Sequence, residues 1–487
     1  MTREKYLETS NSFHRSVGLG KAILHMIGNM IGVGIFIYPA IIASHLPHPA
    51  WFFFVWIIGG LIALTGALSS AELGTYYPEA GGDYAYLRHG YGRRWAFVYG
   101  FLTFFITFPG SIALGVGLAV HYQGASLLGP WVRDVFFQSE LLDFRLYNFQ
   151  IISVGIIFIL TLLNHRGLKT SFFMQKIMTL LPILFLGLII LLTLIFIFKD
   201  MLFLHQVSQL SSNFSGEWKM PELIGLGTAL VPVYWTFSGW NSPLALGEEI
   251  ENPQKTIPRA MILGPIFVTL IYMLFCLVFV AVLSYSSFRT GSSDPYFDIG
   301  KFLLHNLGML DTAGHDSISK GISLILFFII LGNTNSAMIT GSRIYVAMAR
   351  DKLFWQKVGY VDPVKGTPVV SIWLQSFWAI ILLLTMDKES NLLNFAFMAI
   401  TLLSAMTIFS LFIARKKLKT KGSFQAFGYP FTPIFYIVSS LGIMILVAIG
   451  YIREGKYFVL YASFLCVAAA LIAYEIWKSV MIKEERK

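Results

Sequence analysis

Three glycines fall within seven residues in the run Gly28-Asn29-Met30-Ile31-Gly32-Val33-Gly34-Ile35-Phe36, inside an otherwise apolar stretch. A second run, Trp235-Thr236-Phe237-Ser238-Gly239-Trp240-Asn241, is bracketed by Pro232 and Pro243. Glycine costs a helix interior up to about 1 kcal/mol relative to alanine, and proline removes a backbone hydrogen bond. Both runs are therefore places where a helix breaks. The end of the first half-helix leaves carbonyls that suit an ammonium. The start of a resumed half-helix presents N–H groups and a positive dipole end that suit a carboxylate. An α-amino acid carries both groups a short distance apart. Small residues also let helices pack closely, but two breaks with Asn241 beside the second favour a polar site.

The elements that must carry these breaks follow from composition. Of 487 residues, 56% are hydrophobic, 16% aromatic and only 13% charged, about half the charged share of a soluble domain. A disordered chain, a coiled coil and an ordinary soluble enzyme are excluded. A membrane-crossing helix needs roughly 20 mostly apolar residues. That window places spans near 22–44, 51–73, 96–121, 149–164, 175–198, 222–246, 260–284, 321–345, 368–386, 392–414, 432–451 and 456–477. In lipid, broken helices are tolerated only where protein or a polar cavity satisfies the freed backbone. Two of them at matching places in two halves of a chain point to a midplane binding site.

The net charge of +10 would suggest nucleic acid in a soluble protein. Sorted by loop, however, 26 of the 36 Lys and Arg residues fall on the side that holds both termini and 10 on the other. The positive-inside rule then predicts twelve spans in the cell membrane with both termini cytoplasmic. The polar segment 1–21 shows no cleavable signal. External loops at about 122–148, 199–221 and 285–320 read as short caps, and the Asn213-Phe214-Ser215 sequon in one of them as chance. Cys276 and Cys466, both in apolar runs, offer no disulfide framework and no cysteine metal site. No cofactor or metal is expected.

With these features in place, the chain resembles the amino acid–polyamine–organocation superfamily, most closely its L-type amino acid transporter branch. Gly28 to Phe36 is similar to the first-helix glycine motif, with Val33 where a serine is usual. Ala71-Glu72-Leu73-Gly74 and Pro78 to Leu87 resemble the second helix and its loop. Gly239-Trp240-Asn241 with Glu248 to Pro253 resembles the sixth, and Ser342-Arg343 through Asp351 with Gly366-Thr367-Pro368 the eighth. The resemblance implies an all-α integral membrane fold of LeuT-like type in one domain. An N-tail of 1–21 precedes inverted five-helix repeats at about 22–198 and 222–414. Two peripheral helices within 432–477 and a tail of 478–487 follow, and helices 1 and 6 are broken. It implies alternating access, with Gly32, Val33 and Gly34 offering N–H groups to a substrate carboxylate. Carbonyls near Met30, Phe237 and Ser238 would take the ammonium. Trp235 falls where relatives carry an aromatic gate, or it packs between helices. Asn29, Thr236, Gly239 and Asn241 complete the expected substrate site.

Two departures stand out. The fifth-helix lysine of many relatives is missing from Ile177 to Phe198, where Thr179 and Pro182 occur; water, the Thr179 hydroxyl or a bound cation would substitute. The loop 122–148 lacks the external cysteine that joins eukaryotic members to a glycoprotein, so no disulfide-linked subunit is expected.

Intramembrane polar residues are functional candidates by default. Asn333, Thr334, Asn335 and Ser336 present some polar group to every face of the eighth span; they either coordinate a cation against the first break or link helices. His25 reads as an interfacial histidine near the cytoplasm. Glu72 reads as a structural partner for a cytoplasmic arginine or a helix terminus. His121 and Asn394 stand too isolated to interpret. Because Asn29, Val33 and Thr236 carry no charge, a neutral amino acid fits better than a cationic one or a polyamine; proton-coupled symport is the other alternative. A membrane enzyme would need a nucleophile–base set or a carboxylate pair within the spans, and the sequence offers neither.

Overall fold

The computed structural model describes residues 13–32, 34–139, 144–197, 210–290, 295–306, 315–385, 392–418 and 422–485. Helices dominate. In chain order they are α1 (Leu19–Met30), α2 (Gly34–Ser44), α3 (Pro49–Tyr76), α4 (Asp83–Tyr91), α5 (Arg93–Leu128), α6 (Asn148–His165) and α7 (Leu168–Ile197). They continue as α8 (Leu223–Thr236), α9 (Pro253–Val282), α10 (His315–Arg350), α11 (Val369–Thr385), α12 (Leu392–Leu418), α13 (Phe431–Arg453) and α14 (Tyr457–Glu485), with two further helices, Tyr285–Thr290 and Pro295–Asn306, between α9 and α10. The protein is an all-α, multi-pass membrane protein. Among the described residues nine helices are long and apolar enough to cross a bilayer, and ten when α1 and α2, bent by 47°, count as one broken span. Two predicted stretches, 222–246 and 368–386, carry only the shorter apolar helices α8 and α11.

Local chemistry sets the ends and irregularities. Pro49 occupies the first turn of α3, where no N–H is needed, and His48 Nδ1 accepts from the Ala50 N–H at 3.2 Å. A π turn at Thr103–Thr107 precedes Pro109 inside α5, relieving the ladder where that ring removes a donor. Between α5 and α6 an exposed antiparallel hairpin pairs Val135–Ser139 with Phe144–Tyr147.

Sequence and structure differ at the sixth stretch. After Thr236 the chain turns through 237–241 and enters a 3-10 turn at Ser242–Ala245, then further turns up to α9. Pro243 has no N–H to give a helix, and Asn252 adopts a left-handed φ of 46° before Pro253 opens α9. The second break thus has no resumed half-helix, and no dipole end of that kind, on its far side.

Packing gathers around α3 and α9, which bury Phe52, Trp56, Tyr272, Phe275 and Phe279 completely. Between lipid-embedded helices such contacts hold by close fit. A Cβ on Gly59 of α3 would lie 2.3 Å from Val233 of α8, so only glycine allows that approach. The helices α13 and α14 expose Val438, Ile445, Phe458 and Phe464, as lipid-facing surfaces do.

The end bearing the basic loops is tied by polar contacts. Val17 forms a parallel bridge with Ile250, and Arg15 donates to the Ile250 carbonyl at 2.6 Å. The Arg343–Glu249 ion pair, at 2.8 Å, has both side chains about fully buried, at 2% and 1% exposure. Arg350 pairs with Glu248, and the Phe13 ring lies under both guanidiniums at 5.6 and 5.1 Å. Arg88 joins Glu79 to Asp351. As the sequence predicted, Glu72 is a structural anchor: Arg415 donates to both its oxygens at 2.7 Å, and the Ala426 N–H and Tyr76 hydroxyl donate as well. Asn213 of the sequon spends its amide on the Val280 and Leu283 carbonyls and accepts from the Tyr285 N–H, stapling its segment to the end of α9.

Candidate functional site at two adjoining helix breaks

At the first break α1 ends on Met30. The Ile31 N–H donates to Ile27 and the Gly32 N–H to the Met30 carbonyl, at 2.7 and 2.9 Å. Gly32 therefore spends on this turn the N–H that the resemblance assigned to a carboxylate. Val33 lies outside the described residues. Gly34 opens α2 directly against the second break: a Cβ there would sit 2.8 Å from the Thr236 hydroxyl oxygen.

At the second break the Thr236 hydroxyl donates back to the Pro232 carbonyl at 2.7 Å, and the Phe237 N–H to Val233 at 3.1 Å. Ser238, exposed, donates its hydroxyl to the Trp235 carbonyl at 2.7 Å. Gly239 turns the chain at φ +93°, and a Cβ on it would lie 2.9 Å from the Asn29 carbonyl oxygen. Asn29 approaches the Gly239 carbonyl with its amide at 3.5 Å. The two breaks are thus in contact along two lines, Gly34 against Thr236 and Gly239 against Asn29.

Tyr272 joins them. Its hydroxyl lies 2.9 Å from the Met30 carbonyl oxygen and 3.2 Å from that of Thr236. Its ring packs edge-on against Phe237 and Trp56 at 5.1 and 5.6 Å. Trp235 stacks on Phe397 of α12 at 4.8 Å and 21°, half-buried. Asn241 leaves the breaks altogether and gives its amide to Asp83 at 2.5 Å.

The four polar residues of α10 each turn to a different neighbour. Asn333 donates to the Asn29 carbonyl at 2.8 Å. Thr334, buried, faces Gly115 of α5. Asn335 donates to Gln175 of α7 and accepts from Asn164 of α6, both at 2.8 Å. Ser336 lies 3.1 Å from His25 Nδ1, while His25 Nε2 lies 3.0 Å from the Thr340 hydroxyl. His25 is therefore not interfacial: it is fully buried between two hydroxyls one turn apart on α10. Thr179 accepts from the Gln175 amide at 2.8 Å, and both abut Gly28, where a Cβ would lie 2.5 Å from Thr179 and 2.0 Å from Gln175. A continuous chain of neutral groups, Asn164–Asn335–Gln175–Thr179, reaches the first break.

Sequence reasoning missed Tyr272, Gln175 and Asn164. Gln175 and Asn164 stood at the first and last positions of two predicted spans, whereas α7 starts at Leu168 and places Gln175 two turns inside. Tyr272 carried the only signal it could, a hydroxyl within an apolar helix.

The comparisons with known proteins agree with this architecture. Residues 17–473 match the amino acid permease family model. The serine/threonine exchanger SteT of Bacillus subtilis (strain 168) is 28% identical over 443 residues, covering 89% of this chain and 91% of that protein. The b(0,+)-type amino acid transporter 1 of Mus musculus is 25% identical over 423 residues, covering 85% and 78%. The large neutral amino acids transporter small subunit 2 of Mus musculus is 24% identical over 392 residues, covering 80% and 69%. With its paired helix breaks and a match along nearly its whole length, the chain belongs to the amino acid permease family, within the amino acid–polyamine–organocation superfamily.

Proposed function

We propose that this protein is a secondary transporter that moves neutral L-amino acids across the cell membrane by alternating access, as a sodium-independent exchanger or facilitator. The observation that carries the reading is the contact of two uncharged helix breaks, with the Met30 and Thr236 carbonyls turned to one hydroxyl. Carbonyls so placed suit an ammonium, and no Lys, Arg, Asp or Glu lies between Ala22 and Ser44 or between Leu223 and Leu246 to demand a charged side chain. The names of two relatives, a serine/threonine exchanger and a large neutral amino acids transporter, support both the cargo and the absence of enzymatic chemistry.

Inverted repeats around the breaks are supported by which helices touch. The pairs α2–α8, α3–α9, α5–α10 and α6–α11 pack together, as first and sixth, second and seventh, third and eighth, and fourth and ninth spans close to a common two-fold axis would. On this reading α8 and α11 complete twelve spans and α13 with α14 are peripheral. The basic end is cytoplasmic, no disulfide-linked subunit is needed, and Asn333 to Ser336 with Thr179 link helices around the site.

Radiolabelled serine or leucine uptake into proteoliposomes, empty or preloaded with amino acid, tests the proposal. Preloading should accelerate uptake severalfold, and replacing sodium by choline should leave the rate unchanged. No uptake of any neutral amino acid would sink it.

A further inference from the structure

Asp83 opens α4 at the basic end, outside the spans, and is only 5% exposed. Its Oδ2 accepts from the Asn241 amide at 2.5 Å and from the Tyr99 hydroxyl at 3.4 Å. Its Oδ1 is buried without a hydrogen-bond partner. The titratable groups facing it are phenols: Tyr86 of α4 and Tyr99 of α5, with Tyr345 of α10 beside Tyr99. From the segment after α8 the group bonded to it is the neutral Asn241, while Glu248 of that segment accepts from the Ala80 N–H. The nearby cations have other partners: Arg88 holds Glu79 and Asp351, Arg343 and Arg350 of α10 hold Glu249 and Glu248, and Arg415 of α12 holds Glu72.

Burial of an acid with one orphaned oxygen and no cation shifts it toward its neutral form. The neutral acid keeps both bonds that Oδ2 accepts. Glu249, equally buried, differs in having Arg343 at 2.8 Å. Asp83 also occupies a particular place. Asn241 stands two residues beyond Gly239, where the chain turns left-handed at the second break, so this carboxyl ties α4 to the segment that follows that break.

We propose that Asp83 is a proton-binding site through which pH at the basic end controls transport. In acid it holds a proton while that end is closed, as in this structure, and releases it to water when α4 and the 237–252 segment separate. The proton returns to the solution it came from, so no net proton current accompanies the cycle. This inference rests on the transport reading above.

Burial pushes the Asp83 carboxyl up to about 6 from its ordinary 3.8, against the opposing hydrogen bonds from Asn241 and Tyr99. A carboxyl with a higher pKa in the closed form stabilises that form as pH falls through about 6, and the effect levels off below the ordinary value. Within that window each pH unit shifts the equilibrium by up to about tenfold.

The experiment is exchange of a neutral amino acid in proteoliposomes at matched internal and external pH, stepped from about 8 to about 5. The wild type should slow several-fold as pH falls through the midpoint. Asp83→Asn, which imitates the protonated acid, should hold the slow rate at every pH. Tyr99→Phe removes a donor to the anion and should move the midpoint to higher pH. Infrared titration supplies a readout independent of transport: a protonated-carboxyl band that appears over the same pH range and is lost in Asp83→Asn, or, should that variant not fold, shifts in Tyr99→Phe. A pH-independent wild type, an Asp83→Asn profile like the wild type, or a Tyr99→Phe midpoint moved down overturns the proton site. No exchange at any pH overturns the transport reading instead, and the infrared band then decides the proton site alone.

Discussion

The hydroxyl of Tyr272 stands 2.9 Å from the Met30 carbonyl oxygen and 3.2 Å from that of Thr236, so one side chain of α9 reaches both helix breaks. Tyr272→Phe keeps the ring against Phe237 and Trp56 and removes only that tie. The two carbonyls then lose their register. The expected result is a KM raised roughly five- to tenfold, about 1.0–1.4 kcal/mol, with thermal stability lowered by no more than about 3 kcal/mol. Concentration-dependent uptake and thermal unfolding in detergent check the two halves separately.

Gly34→Leu should abolish substrate binding while leaving expression intact, because a side chain at that position runs into Thr236. The smaller Gly34→Ala allows a sharper measurement. Its Cβ meets the Thr236 hydroxyl and methyl at 2.8 and 3.2 Å, and Thr236→Ala deletes both atoms. The double variant should recover part of the lost uptake, with a coupling of about 1 kcal/mol or more. Additive losses would place the two breaks apart.

The Arg343–Glu249 pair is buried on both sides. Removing one partner leaves an uncompensated charge, which costs about 3–5 kcal/mol. Glu249→Gln alone should lower the unfolding temperature markedly. Combining it with Arg343→Met should lower it less, since no orphaned ion remains. Thermal scans of the purified protein compare the two.

Gln175 holds Thr179 and Asn335 at once. Gln175→Leu leaves the Asn335 amide only its longer bond to the Ser171 carbonyl at 3.4 Å and orphans the Thr179 hydroxyl, at about 1–3 kcal/mol for a buried group left unpaired. The expected outcome is a less stable protein whose uptake is still indifferent to sodium. A sodium requirement appearing in the variant would contradict the helix-linking role.

Much of this was legible in advance because it rests on residue type at one position. Glycine and proline mark both breaks wherever the chain folds, and Glu72 in an apolar helix demands a cation, which Arg415 supplies. What stayed hidden depends on partners far along the chain. His25 looked interfacial from its place near the end of an apolar run, but Ser336 and Thr340 lie more than three hundred residues away and make burial affordable. The sixth stretch read as a helix resuming after Gly239 because its residues are apolar. Pro243 and the contacts of the following turns, including Ala80 with Leu246, decide otherwise.

The bridge between Val17 and Ile250 has a consequence for biosynthesis. The amino-terminal segment must wait for residues made roughly 230 positions later, on the order of ten to fifty seconds at ordinary ribosomal speeds. During that interval Arg15 and Phe13 have no docking surface, since Ile250, Arg343 and Arg350 are not yet made. Closure of the basic end is therefore a late event in the life of the nascent chain, completed only after synthesis has passed Arg350.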